Sequence, residues 1–347
     1  MIYNNLGNSD IQVSRICLGT MTWGEQNTQD EAFKQMDYAL EQGVNFWDTA
    51  ELYSVPPRAE TYGATETMIG NWFAKNGRRS DVVLASKIAG PMGPASHIRD
   101  GKGRFNREQI TQALEASLKR LQTDYLDLYQ LHWPERPTNY FGKLGYEWQQ
   151  EPNDLTDFEE TLEVLTEFVR QGKIRQIGLS NETAWGAMKF LQIAEAKGLQ
   201  KIVTIQNPYS LLNRSYEVGL SEVSRHEGVG LLAYSPLGFG ALSGKYLNNQ
   251  RPENARLTLF PSYDRYLSNN AVKATELYTA LAKGNGLTPT QLALAFVNSR
   301  PFVSANIIGA TTMEQLKENI DSINVNLDEE VLFQIERIHA QYTIPSP

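Results

Sequence analysis

Cysteine is nearly absent from this chain of 347 residues: Cys17 is the only one, so no intramolecular disulfide can form and no Cys/His metal-finger spacing exists. Cys17 itself reads as core filler. Long hydrophobic runs are lacking as well. The longest stretches, such as VVLA at 82–85 and GVGLLAY at 228–234, fall far short of a bilayer span. The N-terminal MIYNNLGNSD has neither the basic start nor the apolar block of a signal peptide. The expectation is a soluble cytoplasmic protein that does not engage a membrane. An excess of positive charge is missing too, since 32 Lys and Arg stand against 40 Asp and Glu for a net charge of −8. That balance disfavours nucleic acid as a partner and means that an anionic ligand has to be held by local basic or dipolar groups. Gly101-Lys102-Gly103 is a basic glycine turn without P-loop spacing.

What is present is a regular alternation. Strand-like runs at 16–19, 44–48, 82–87, 125–133, 174–180, 202–207, 229–235 and 305–310 are separated by segments with apolar residues three or four apart, several of them ending at glycine. Hydrophobic residues make up 41% of the chain, enough for a large core. Eight strand–helix units spell a closed (β/α)₈ barrel, an α/β TIM barrel, as one domain over residues 1–347. The competing arrangement is an open doubly wound sheet, but the glycine fingerprint expected after its first strand is missing. YNNLGNSDIQVS, ahead of the first unit, reads as an N-terminal hairpin covering the barrel bottom. Residues 326–342 read as an extra C-terminal amphipathic helix with Asp328 as its N-cap.

Loop lengths choose the working face. The segments after the second, third, fourth and seventh strands are long and rich in Pro, Gly and aromatics, whereas helix-to-strand connections are short, which places a site at the C-terminal rim. Asp48 ends the second strand, Lys87 the third, and His132 lies near the end of the fourth, with Tyr53 five residues past Asp48 in FWDTAELYS. A carboxylate there is costly to desolvate without a cation, and Lys87 is its expected partner. A lysine ammonium also favours phenolate, so Lys87 is expected to draw the Tyr53 pKa down from about 10. His132 would add a hydrogen bond to the reacting oxygen. Together the four residues suit reduction of a carbonyl, with hydride arriving at carbon and Tyr53 protonating oxygen. His97, His226 and His339 are scattered and read as surface or structural.

FWDTAELY, LASK and DLYQLHWP resemble the Asp–Tyr–Lys–His signature of the aldo-keto reductase superfamily. The resemblance runs from LGNSDIQVSRICLGTMTWG to IIGATTMEQLKENI, nearly the whole chain, and is strongest toward bacterial Tas-like reductases and the group that includes potassium-channel β subunits. It implies an NADP(H)-dependent reductase of small aldehydes or ketones that uses no metal. The alternative is an NADPH-binding, redox-sensing regulatory subunit with little turnover. Oligomeric state is left open. The cofactor residues that the resemblance implies are Thr20 and Met21 near the nicotinamide ribose, Asp48 as a further cofactor contact, Ser180, Asn181 and Gln206 at the carboxamide, and Tyr234 stacked on the ring. Ser235, Leu237, Gly238, Lys245 and Arg256 would lie over the pyrophosphate, and Thr311, Gln315, Glu318 and Asn319 at the adenosine end, with Gly309 a further cofactor contact. Many members carry a Lys-Ser pair after the last strand and an Arg further on; here Gly309, Ala310 and Gln315 stand there, as in the channel-subunit branch, and the 2′-phosphate clamp stays open. His132, often lost in that branch, is kept. The loop NYFGKLGYEW (139–148) is either a substrate wall or a packed loop cover.

Overall fold

The computed structural model describes residues 1–91 and 96–347. The hairpin comes first, as β1 (Tyr3–Asn5) and β2 (Gln12–Ser14) paired antiparallel with Tyr3 opposite Ser14. The eight strands that follow are β3 (Ile16–Gly19), β4 (Phe46–Asp48), β5 (Val83–Ile88), β6 (Leu126–Leu131), β7 (Ile174–Ser180), β8 (Ile202–Pro208), β9 (Gly230–Tyr234) and β10 (Val303–Ile308). They pair in parallel in chain order, and β10 returns to β3 to close the barrel. Around it run α1 (Gln29–Glu41), α2 (Ala64–Asn76), α3 (Arg107–Leu121), α4 (Phe158–Arg170), α5 (Ala184–Lys197), α6 (Leu220–Glu227), the short α7 (Arg256–Leu259), α8 (Asn269–Gly284), α9 (Pro289–Asn298), α10 (Met313–Asp321) and α11 (Glu329–Gln341). The fold is the expected (β/α)₈ barrel.

The two-residue period of the strands sorts the barrel interior into layers. Phe46 and Asp48 share one face of β4, Ala85 and Lys87 one face of β5, and Leu128 and Gln130 one face of β6. The lower members of these pairs form an apolar cluster with Cys17, Leu232 and Ala305, and the hairpin's Leu6, Ile11 and Val13 plug it from below. Gly7, at φ +57°, lets the hairpin turn sit where any Cβ would run into the Val203 carbonyl. The upper members are polar and sit at the C-terminal rim. Outward residues pack against the helices: Trp47 lies edge-on to Trp72 at 5.0 Å and stacked on Phe73 at 5.9 Å.

Three elements depart from expectation. The segment with helical spacing between the strand-like runs at 202–207 and 229–235 is broken into a 3₁₀ turn, Ser215–Val218, and α6, with Gly219 at φ −151° between them. The loop after β9 contains α7 and several 3₁₀ turns, and α8 follows it where the sequence reading sets no element. Its buried face is mostly Ala271, Ala274, Thr275, Thr279 and Ala282, which gives little apolar contrast. The tail helix is present as α11, with the Asp328 side chain accepting from Val331 N at 2.8 Å. The long loop expected after β5 includes residues 92–95, which lie outside the described residues.

Candidate active site

Parallel pairing brings the tips of β4, β5 and β6 side by side, and three buried side chains meet there. Lys87 Nζ donates to Asp48 Oδ2 at 2.6 Å, to the Thr49 carbonyl at 2.8 Å and to Tyr53 Oη at 3.3 Å. Lys87 is fully buried, so all three of its donors are used by the protein. Asp48 Oδ1 accepts from Gln206 Nε2 at 2.8 Å and Gln130 Nε2 at 3.2 Å, and its carbonyl accepts from Thr20 Oγ1 at 2.8 Å. A buried carboxylate with a cation on one oxygen and two amides on the other satisfies the condition for keeping charge at a barrel mouth.

Tyr53 reaches this group because its loop is pinned from below. Thr49 N donates to the Ala85 carbonyl at 2.9 Å and Glu51 N to the Lys87 carbonyl at 3.2 Å, so the chain after β4 rides on β5. Glu51 is wholly buried under the loop. It accepts from Arg99 Nη2 at 2.6 Å, Ala89 N at 2.7 Å and the Tyr62 hydroxyl at 2.9 Å. His132 is held by its backbone, with its N–H on the Ile88 carbonyl at 3.0 Å and its carbonyl accepting from Asn181 Nδ2 at 2.8 Å. The Tyr53 and His132 rings stand edge to face at 5.8 Å, and Nδ1 of His132 has no hydrogen-bond partner among the described residues.

Burial dominates the titration of this group. It pushes the Tyr53 phenol up; Lys87 opposes the rise, Asp48 adds to it, and the net shift is upward. The expectation that Lys87 draws the phenol below its ordinary value is therefore corrected: desolvation of the phenolate outweighs the nearby cation. Burial also disfavours the charged form of Lys87, but Asp48 and then Tyr53 more than compensate, and its pKa is raised. His132 is driven well below the usual imidazole range, by burial first and by Lys87 second. At neutral pH the group therefore holds a protonated phenol, a charged lysine and a neutral imidazole.

Tyr53, His132 and Asp48 open onto a cleft of about 1170 Å³ that crosses the barrel mouth, while Lys87 lies behind its wall. Thr20, Met21, Ser180, Asn181, Gln206, Tyr234, Ser235 and Leu237 line it near the barrel axis. Tyr234 donates to Asn181 Oδ1 at 2.6 Å and Ser180 Oγ to the Gln206 carbonyl at 2.9 Å, so much of this polar surface is prearranged. Asn181 and Ser235 both hold left-handed backbone, at φ +55° and +54°. Gly309, Thr311, Gln315, Glu318 and Asn319 line the far end beside the start of α10, where Thr311 N donates to Gln315 Oε1 at 3.0 Å. Lys245 and Arg256 line the floor between. Gly238 is the exception among the residues expected here: it is not on the cleft wall, its N–H is given to the Ser235 carbonyl at 2.9 Å, and a Cβ on it would meet the Tyr266 ring at 3.0 Å.

The site also contains residues that sequence reasoning missed. Gln130 has the inward parity of His132 two residues on, a signal that was available in DLYQLHW. Glu51 and Arg99 carried no such signal, because their pairing depends on a loop folding back. Arg265 lines the cleft from an irregular segment, beside Phe239 and Tyr266. In the loop after β6, Phe141 and Gly142 line the cleft, while Leu144, Tyr146 and Trp148 are exposed. Only the start of that loop serves as wall.

The cleft's fit to a phosphorylated dinucleotide can be judged from unused groups. Arg256 is buried with Nε unpartnered, stacked 4.7 Å over Phe239, and burial lowers the pKa of Lys245 without a neighbouring carboxylate to offset it. Asn319 Oδ1 is likewise buried without a partner. Unspent cations in mid-cleft and an unspent acceptor at its end suit phosphates flanked by a polar base.

Comparison with known proteins agrees with this geometry. Residues 15–340 match the aldo/keto reductase family. The chain is 54% identical to the protein tas of Escherichia coli, with all of both chains covered. It is 36% identical to a Bacillus subtilis protein named as the uncharacterized oxidoreductase YrpG, covering 97% of this chain and 96% of that one. It is 39% identical to an aldo-keto reductase of Babesia bovis, covering 70% of this chain and 89% of that one. A family match across nearly the whole barrel, together with Asp48, Lys87, Tyr53 and His132 gathered at its mouth, means that the chain belongs to the aldo/keto reductase family of oxidoreductases.

Proposed function

We propose that the protein reduces a small aldehyde or ketone to the alcohol with NADPH, and that Tyr53 delivers the proton. The observation that carries this reading is the contact of Lys87 with both Asp48 (2.6 Å) and Tyr53 (3.3 Å), directly behind the wall of a cleft of about 1170 Å³, a volume sufficient for a dinucleotide. The bound dinucleotide supplies hydride to the carbonyl carbon. Everything else falls to the chain's own groups.

Tyr53 holds its proton at neutral pH because burial raises its pKa, so it is ready to protonate the carbonyl oxygen as charge develops there. Lys87 stays charged, and its ammonium stabilises the phenolate left behind. Asp48 keeps that ammonium in place and, with Gln130 and Gln206, gives it a fixed direction. His132, neutral and edge-on to Tyr53, offers a hydrogen bond to the same oxygen without competing as an acid. Leu52, Val55 and Trp133 line the cleft beside them and keep the reacting carbonyl in apolar surroundings. Lys245 and Arg256 would meet the phosphates, Ser180 and Asn181 the carboxamide, Tyr234 the nicotinamide face, and Thr311, Gln315, Glu318 and Asn319 the adenosine.

The test is the loss of NADPH absorbance with a panel of aldehydes and ketones, alongside the NADPH dissociation constant. Turnover of any of them supports the reading. Tight NADPH binding with no turnover across the panel would assign the chain a cofactor-sensing role instead.

A further inference from the structure

The geometry points to Arg265 as the anchor for an anionic group on the carbonyl substrate, so that the preferred substrates are aldehydes or ketones that also carry a carboxylate or phosphate. This deepens the reductase reading and rests on it. Three cations line the cleft, Lys245, Arg256 and Arg265, and none forms a salt bridge among the described residues. Elsewhere four arginines of comparable burial are matched by carboxylates, Arg99 with Glu51, Arg120 with Glu66, Arg136 with Glu182 and Arg214 with Glu217, and Arg15, which has none, spends its guanidinium on the Asn298 and Arg300 carbonyls at 2.6 and 2.7 Å. An arginine withheld from carboxylates in an acidic protein is placed for an outside anion.

The dinucleotide accounts for Lys245 and Arg256 but leaves Arg265 over, and its position separates it from the adenosine end. Its Cδ lies 3.8 Å from where a Cβ on Gly142 would stand, and its charge opposes the upward shift that burial imposes on Tyr234. From Gly142 the wall continues through Phe141 to Trp133 (rings 5.8 Å apart) and on to His132 (5.0 Å). From Tyr234 it continues through Asn181, bonded at 2.6 Å, to the His132 carbonyl at 2.8 Å. Arg265 thus closes a ring of contacts around the part of the cleft that holds Tyr53 and His132. Its Nε is buried without a partner, and the rest of the guanidinium meets only neutral hydroxyls, that of Tyr266 at 3.2 Å from Nη2 and that of Tyr234. Glu253 and Asp264 stand on the same rim but are exposed and not paired with it. A guanidinium stacked on Tyr266 and Phe239 keeps its planar fork oriented, which suits two-point recognition of a carboxylate or phosphate.

The experiment compares 4-carboxybenzaldehyde with 4-methylbenzaldehyde, similar in outline but different in charge, using the full chain and NADPH. The expected result is a kcat/KM ratio of roughly tenfold or more in favour of the carboxylate, expressed mainly in KM, as one charge-assisted pair would give. In Arg265→Met the ratio should collapse toward one, and Arg265→Lys should keep part of it. A phosphorylated aldehyde run in parallel separates the two anions. Equal kcat/KM for the two benzaldehydes in the wild type, or a ratio untouched by Arg265→Met, would overturn the proposal. So would a rise in the NADPH dissociation constant that matches the loss, since Arg265 would then serve the dinucleotide. If neither aldehyde turns over, the reductase reading fails separately. Calorimetry with 4-(hydroxymethyl)benzoate and 4-methylbenzyl alcohol on the NADP-loaded protein still decides Arg265: tighter binding of the benzoate that is lost in Arg265→Met supports it, and equal binding overturns it.

Discussion

Gln206 and Asp48 sit on opposite strands of the barrel, β8 and β4, yet the Gln206 amide donates to Asp48 Oδ1 at 2.8 Å. The bond spans the barrel interior and caps the apolar layers beneath it. Gln130 joins both partners, donating to Asp48 at 3.2 Å and accepting from Gln206 at 3.2 Å. The Lys87–Tyr53 contact therefore rests on a polar layer drawn from four strands.

Gln206→Leu should remove the better of the two amide donors and leave Asp48 with Lys87 and Gln130. Losing a buried hydrogen bond to a charged group costs about 1.5–3 kcal/mol, so the urea midpoint should fall with the m-value unchanged. Lys87→Met strips the cation from a carboxylate that is only 2% exposed, and the loss of a buried pair's partner costs about 3–5 kcal/mol. Equal destabilisation by the two variants would show that the amide layer holds Asp48 as strongly as the ion pair does.

Tyr53→Phe keeps the ring and removes only the hydroxyl 3.3 Å from Lys87. Turnover of a carbonyl substrate should fall by roughly 10²- to 10⁴-fold, as for a lost general acid, with NADPH binding nearly unchanged. Because burial raises the phenol above its ordinary value of 10.0, the alkaline limb of kcat/KM in the wild type should lie above pH 10. A limb near pH 8 would mean that Lys87 wins over burial once the cleft is filled.

His132 should make the fold acid-sensitive at an unusually mild pH. Its folded pKa lies well below the ordinary value of 6.5, so beneath pH 6.5 the unfolded chain binds a proton that the folded chain refuses. Its contribution to stability is complete above pH 6.5 and is lost as pH falls from there toward the folded pKa, with a slope of up to about 1.4 kcal/mol per pH unit. His339, lowered by burial and by Arg214, acts in the same direction, so the informative quantity is the difference between wild type and His132→Gln. Unfolding free energies in urea at pH 7.5, 6.5 and 5.5 should show a shallower decline in the variant; parallel declines would remove His132 as the cause.

The barrel and its polar tips were legible because strand periodicity and strand order alone carry Asp48 and Lys87 to adjacent inward positions at one rim. Gln130 obeys the same rule, but a neutral amide at an inward strand position carries no charge or titration to mark it as part of a site. Glu51, Arg99 and Arg265 follow no period: their roles depend on which irregular segments fold over which, and on whether a cation finds a carboxylate. The direction of the Tyr53 shift was misread for a related reason, since the depth of burial that outweighs Lys87 is a property of the packed loop. α8 escaped because an alanine and threonine face buries well without contrasting in sequence.

Arg256 should decide between the two nicotinamide dinucleotides. A net charge of −8 gives no overall attraction for a phosphate, so any preference for NADPH has to come from local donors. The far end of the cleft offers Thr311 and Gln315, which already bond one another at 3.0 and 3.2 Å, and the neutral amide of Gln315 is a weaker phosphate partner than a cation. Arg256 is buried, unpaired, and held over Phe239 and Tyr263 at 4.7 and 5.6 Å, so its guanidinium is desolvated and oriented before any ligand arrives. Arg256→Ala should therefore weaken NADPH more than NADH. Both dissociation constants are measured by fluorescence quenching at fixed salt, because the contact is ionic. Equal losses for the two dinucleotides would put Arg256 on the pyrophosphate that they share, and a wild type that binds NADH more tightly would leave the 2′-phosphate with no cation in this cleft to hold it.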